Sequence, residues 1–213
     1  MAKREPLRPL PRLIPALLLA ALLTGCGAFA QSATPAATET AVDDARTIRS
    51  PEHFAEMQGR LEQLVPSLQE TSAEAGVELE VRGLADSSCH GTDLKEPQER
   101  TRWEGLLRGD SVNPETANAA LDRMIELLQG DGWTLVEETN HPERDTGEVR
   151  SLAFVNDGLS MSVLYDLSTG SGPGMLDIVA VTRCVDHPKD HQMLRSTLDP
   201  HYGQSDEYYD DDE

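Results

Sequence analysis

The stretch from Val149 to Val185 constrains the fold more than any other part of the chain. Leu159, Met161, Val163, Tyr165 and Leu167 alternate with Ser160, Ser162 and Asp166. That is the period-two pattern of a strand with one face in a core. Asn156-Asp157-Gly158, just before it, is a tight-hairpin signal, because such turns need residues that tolerate positive φ. Val149 to Val155 is then the partner strand. Behind the alternating run, "STGSGPG" turns the chain again into Met175 to Val185, which carries Cys184. Strands joined by short turns lie antiparallel, and an antiparallel sheet with one wet face needs a cover on the other.

Two segments supply that cover. Ser50 suits a helix cap, Pro51 its first position, and Glu52 the positive end of its dipole. Phe54, Met57, Leu61, Leu64, Val65 and Leu68 then follow a helical stripe. Gly76 offers the left-handed stop, and Pro66 predicts a kink or a split. Asn113-Pro114-Glu115 opens a second helix, with Ala117, Ala120, Leu121, Met124, Ile125 and Leu128 on its apolar face and Gly130 at its end.

Between and around the helices, Val77, Leu79 and Val81 alternate with acids. Arg100 to Leu107, with Trp103, reads as a further strand, and Trp133 and Leu135 begin another. Residues 139 to 148 read as a charged loop. The expectation is an α+β domain: an antiparallel sheet of about five strands with two helices on one face, in the order α-β-β-α-β-β-β. No internal repeat of fixed period is present.

The N-terminal region reads as an export signal. Lys3, Arg4, Arg8 and Arg12 stand against Glu5, and Leu13 to Leu23 is almost wholly apolar before small residues follow. The run contains Pro15 and falls short of the roughly 20 residues a membrane span needs. Within "LLTGCGAFAQ" two cut sites overlap. Leu23-Thr24-Gly25-Cys26 resembles a bacterial lipobox; this resemblance implies cleavage before Cys26, a diacylglyceryl thioether on its thiol, and often a further acyl chain on its amino group. Ala28-Phe29-Ala30 would instead release the chain without Cys26. The lipobox lies nearer the apolar run and gives Cys26 a role, so it is the expected site. Two or more acyl chains anchor stably where one does not.

The expected organisation follows. Residues 1–25 are a removed signal peptide. Residues 26–49 are a lipidated N-terminus and a flexible Ala/Thr/Ser/Pro linker. Residues 50–199 are one extracytoplasmic domain, and residues 200–213 a disordered acidic tail with six acids among its last eight positions. The protein is expected at the cell membrane, facing outward. With Cys26 assigned, Cys89 and Cys184 remain as an even pair in a chain that leaves the reducing cytoplasm. A bridge between them closes a loop of about 95 residues, worth roughly 4–5 kcal/mol by chain entropy. The other reading is two inert thiols.

The formal charge of −20 repels phosphate backbones and anionic headgroups, which argues against nucleic acid as a partner. It fits either a solvated exterior or a surface that attracts cations or a basic partner. "STGSGPG" lacks the lysine and following helix of a phosphate loop. No G-x-S-x-G, H-E-x-x-H or paired C-x-x-C occurs, and no cofactor is expected. His187 and His191 stand four apart, with Asp186 and Asp190 beside them. A helix beginning at Pro188 would put both histidines on one side, a spacing used by metal ligands. The disulfide would bring His90 and Asp93 to the same neighbourhood. The plainer reading is solvated loop histidines, and no metal site is assigned. Trp103 and Trp133 read as core residues rather than a stacking platform. The acidic tail lacks the glycine and spacing of a calcium loop.

The layout of Pro51 to Val185 is similar to small actinobacterial lipoproteins of the LppA-like kind. The shared features are an amphipathic helix, a mid-chain cysteine, a second helix ending before "GDGW", and a hairpin with a late cysteine, here Cys184. That resemblance implies no activity and transfers no catalytic residue. Two functions compete: a non-catalytic, lipid-anchored envelope protein that binds a protein or small molecule, and an extracytoplasmic hydrolase or metal-dependent enzyme. A cleft lined by converging His and Asp groups favours the second, and an open apolar groove without them the first.

Overall fold

The computed structural model describes residues 36–90, 96–144, 147–167 and 174–204. The three helices are α1 (Ala36–Ala45), α2 (Pro51–Glu74) and α3 (Pro114–Gly130). The strands are β1 (Glu80–Ser88), β2 (Arg100–Val112), β3 (Thr134–Arg144), β4 (Gly147–Asn156), β5 (Leu159–Asp166), β6 (Gly174–Thr182) and the short β7 (Val185–Asp186). All pairings are antiparallel, in the spatial order β1-β2-β6-β5-β4-β3, with β7 pairing the start of β2. The chain lays down β1 and β2, crosses to the far edge through α3, and returns as the meander β3-β4-β5-β6. Pairing of β6 with β2 joins the two halves.

The α+β class and the antiparallel sheet are as expected, but the strand count is not. The order α-β-β-α-β-β-β carries one strand fewer than the six segments it rests on. The sheet has all six and a seventh, because the last segment breaks after Thr182 and resumes as β7. The charged residues 139 to 148 also differ from expectation: β3 and β4 extend through most of that stretch as a two-stranded arm. Such an arm needs only paired backbone, so polarity does not forbid it. Helix α2 runs unbroken through Pro66. Pro66 lies on the exposed side, where the carbonyl its ring leaves unpaired can turn to water.

Helix α1 lies inside the stretch read as a flexible linker. Its end is docked: the Gly158 N–H donates to the Ala45 carbonyl at 2.7 Å, and Arg183 pairs with Asp43 at 2.6 Å. Cys26 and the acidic residues 205–213 lie outside the described residues, as do Asp93 and most of "STGSGPG".

The caps form as the sequence predicts. Ser50 accepts from the His53 N–H at 3.1 Å, and Asn113 from the Thr116 N–H at 2.9 Å. The apolar stripes of α2 and α3 pack on the sheet face that carries Trp103, Leu107, Leu152, Phe154, Met161, Val163, Tyr165, Leu176 and Ile178, all buried. Burial of each such large side chain stabilises by about 1.5–3 kcal/mol. The outer edge of β1 is covered by the C-terminal segment. Ala85 bridges Arg195, the Leu194 carbonyl accepts from the Asp86 N–H at 2.8 Å, and the Asp199 carboxylate accepts from the Leu84 N–H at 2.6 Å.

Helices α2 and α3 run antiparallel. The end of α2 meets the start of α3, where Thr116 lies beside Gly76, and Arg123 pairs with Glu74 at 2.6 Å. Helix α2 has 24 residues and α3 has 17. At 1.5 Å per residue, α2 therefore outruns α3 by about 10 Å.

Candidate functional site

Where the middle of α2 faces the end of α3 there is a cleft of about 330 Å³. Its walls are Arg60, Gln63, Leu64 and Ser67 from the middle of α2, and Leu127, Leu128 and Asp131 from the end of α3. Trp133 and Leu159 close its floor from the sheet. The volume is at the small end of the range typical of ligand sites, about 300–1,000 Å³, and the lining exposes more polar than apolar surface. Among the described lining residues there is no histidine, cysteine or lysine. Ser67 and the carboxylate of Asp131 are the cleft's hydroxyl and its acid.

One end of the cleft is the β4–β5 hairpin. Asp157 and Gly158 form its two-residue turn, with φ of 41° and 92°, the double positive that the Asn156-Asp157-Gly158 signal implies. Arg60 Nη1 donates to the Asp157 carbonyl at 2.6 Å and lies 3.1 Å from its carboxylate. Arg49 also pairs with that carboxylate. Burial raises the Asp157 carboxyl's pKa, but the Arg49 hydrogen bond and the charges of Arg49 and Arg60 outweigh it and hold the group below its usual range. On the other side of the turn, the Asn156 side chain donates to the Asp131 carbonyl at 3.4 Å.

His53, buried at the first turn of α2, completes this latch. Its Nδ1 accepts from the Arg49 N–H at 3.1 Å, so Nε2 carries the hydrogen and faces the Asp157 carbonyl at 3.2 Å. Sequence reasoning missed His53, Arg49, Arg60 and Asp131 as site residues. The available signal was a histidine on the apolar stripe of α2, flanked by two arginines.

The histidines singled out by spacing lie elsewhere. His187 and His191 do meet, with ring centroids 3.8 Å apart and planes 8° from parallel. The cause is a turn at Lys189-Asp190, closed by the His191 N–H donating to the Pro188 carbonyl at 3.0 Å, and not a helix starting at Pro188. His191 Nε2 donates to the buried Asp86 carboxylate at 2.7 Å, and His187 Nε2 lies 3.0 Å from the Thr101 hydroxyl. Those two nitrogens therefore serve different partners instead of converging on one point. Asp186 is exposed and lies 3.6 Å from Arg100. His90 sits in an exposed bend. Among the described residues no group of three or more His, Cys, Asp or Glu is arranged to hold a metal.

Burial lowers the pKa of His187 and the neighbouring His191 lowers it further, against the opposing pull of Asp86 and Asp186. This cluster touches α2 at Phe54, whose ring lies 4.8 Å from His187. Phe54 and Gln63 are separated by about 13 Å along the helix axis. The titrating groups and the cleft are thus different places.

Cys89 and Cys184 form a disulfide, with Cα atoms 6.2 Å apart. It ties the end of β1 to the β6–β7 junction and so holds the histidine pair against the sheet. Trp103, in β2, and Trp133, just before β3, are both nearly fully buried, as a core reading implies; Trp133 also lines the cleft. No helix among the described residues is long and apolar enough to cross a membrane. No family model matches the chain, and neither a curated protein nor a solved structure matches it.

Proposed function

We propose that this chain is an exported lipoprotein, anchored to the outer side of the cell membrane by lipid on Cys26, whose domain binds a protein or small molecule without catalysing a reaction. The observation that carries the binding reading is the α2–α3 cleft, where Leu64, Leu127, Trp133 and Leu159 are lined up with the charged Arg60 and Asp131. The anchor rests on Leu23-Thr24-Gly25-Cys26 behind a basic and apolar leader. The disulfide is consistent with an oxidising compartment.

A photoreactive side chain at Gln63, on the exposed rim, tests the cleft in native envelopes. The expected result is a discrete crosslink from Gln63 and none from an equivalent group at Glu115, at the opposite end of α3. Equal crosslinking from both positions would count against the cleft. Cys26→Ser tests the anchor: it is expected to move the protein from the membrane to the soluble fraction.

The enzyme reading has one observation in its favour, the buried Asp86 carboxylate on His191, which resembles a carboxylate orienting a base. The nearest hydroxyl in that cluster, Thr101, is wholly buried and contacts His187 instead. No substrate reaches it there, so the binding reading is the stronger.

A further inference from the structure

Two charged groups at the cleft have unused bonding capacity, and they are of opposite sign. Arg60 engages Asp157 through Nη1 alone. Its Nε and Nη2 have no partner among the described residues, and together they form the edge of the guanidinium that grips a carboxylate with two parallel hydrogen bonds. Asp157 already holds Arg49. Two guanidinium groups share one carboxylate, which leaves local positive charge in a chain of formal charge −20. Asp131 caps the end of α3, the negative pole of its dipole, and its exposed carboxylate has no ion pair among the described residues.

These two groups are held to the same turn. Arg60 bonds the backbone of Asp157, and Asn156 bonds the backbone of Asp131, at 2.6 and 3.4 Å. Asn156 and Asp157 are consecutive, and consecutive Cα atoms are about 3.8 Å apart. The same cleft is lined by the apolar Leu64, Leu127 and Trp133. An anion alone meets Asp131 and the field of an acidic protein. A cation alone meets Arg60. A ligand that presents both charges over an apolar group satisfies every wall of the cleft.

We infer that the cleft binds a small zwitterion with an apolar side chain, an α-amino acid or very short peptide, whose carboxylate sits on Arg60, ammonium on Asp131 and side chain over Trp133. The inference rests on the reading of the cleft as a binding site and adds the class of ligand.

Three probes of one shape separate the charges: L-leucine, L-leucinamide without the carboxylate, and 4-methylpentanoate without the ammonium. Each is titrated into the detergent-solubilised full chain by calorimetry, with tryptophan fluorescence as a second readout. Leucine is expected to bind at least about tenfold more tightly than either half-ligand, the usual effect of one charge-assisted contact. Arg60→Lys keeps a charge for Asp157 but removes the fork. It and Asp131→Asn are each expected to lower leucine affinity by about tenfold with unchanged thermal unfolding. If 4-methylpentanoate binds as well as leucine, the site is an anion site and the inference fails; the same result with leucinamide makes it a cation site, with the same consequence. If none of the three binds, the ligand class is wrong, while crosslinking at Gln63 judges the cleft separately.

Discussion

The imidazole of His187 lies flat on that of His191, 3.8 Å between centroids. Two rings so placed resist carrying two positive charges, and His191 already donates to the buried Asp86 carboxylate. Burial first, then His191, places the pKa of His187 below its ordinary 6.5. A histidine held below its unfolded value contributes stability that is complete above that value. It is lost progressively as the pH falls from about 6.5 towards the folded value. The urea midpoint is therefore expected to be level from about pH 8 to 7 and to drop below about pH 6.5. His187→Gln is expected to make that drop shallower. Identical pH profiles for the two proteins would remove His187 as its cause.

The latch at the β4–β5 turn orders two substitutions by cost. His53→Leu strands the Arg49 N–H in a part-buried setting and leaves the Asp157 carbonyl with Arg60 alone, an expected loss of about 1–3 kcal/mol. Asp157→Asn keeps a residue that tolerates positive φ and removes only ion pairs whose carboxylate is 40% exposed. Exposed pairs are worth about 0–1 kcal/mol. Denaturant unfolding of both variants checks the ranking, and a larger loss from Asp157→Asn would show that charge, not the buried imidazole, holds the turn.

Gly174 tests the packing where β6 begins. A Cβ there would lie 2.5 Å from the Tyr165 ring, closer than real contacts allow. Tyr165 is fully buried and its hydroxyl donates to the Val112 carbonyl at 3.2 Å, so it has nowhere to retreat. Gly174→Ala is expected to destabilise by about 1–3 kcal/mol, the cost of overpacking. Gly130→Ala, at the end of α3 with open space around it, is the control and is expected to leave the denaturation midpoint within error of the parent.

What the sequence revealed and what it hid divide along the range of the interactions. The alternation of Leu159 to Leu167, the stripes of α2 and α3, their caps and the Asp157-Gly158 turn are local patterns, and each formed where its period or turn chemistry placed it. Helix α1 has no apolar stripe to read; its position depends on Gly158 and Arg183, more than 100 residues away. The cleft was hidden for a related reason. The caps and stops marked both helices, yet a cleft arises only once they are packed antiparallel and the middle of α2 faces the end of α3. Likewise, the four-residue spacing of His187 and His191 suggested one side of a helix from Pro188, whereas a turn at Lys189-Asp190 stacks the rings face to face.

The disulfide is the longest-range covalent tie, closing 95 residues. All of β2, α3 and the meander lie inside that loop, so reduction frees the larger part of the domain in the unfolded state. Chain entropy values a loop of this length at roughly 4–5 kcal/mol, a large share of the roughly 5–15 kcal/mol typical of a domain. Because the bridge also holds the His187 segment against β2, its loss should affect more than the unfolded chain. Two observations check this. Intact mass after alkylation without reductant should show neither Cys89 nor Cys184 labelled, and both labelled after reduction. The Cys89→Ala, Cys184→Ala double variant should unfold at a lower denaturant concentration and lose part of the pH dependence assigned to His187. A variant that keeps that pH dependence in full would mean the histidine pair is held by β2 and Phe54 alone.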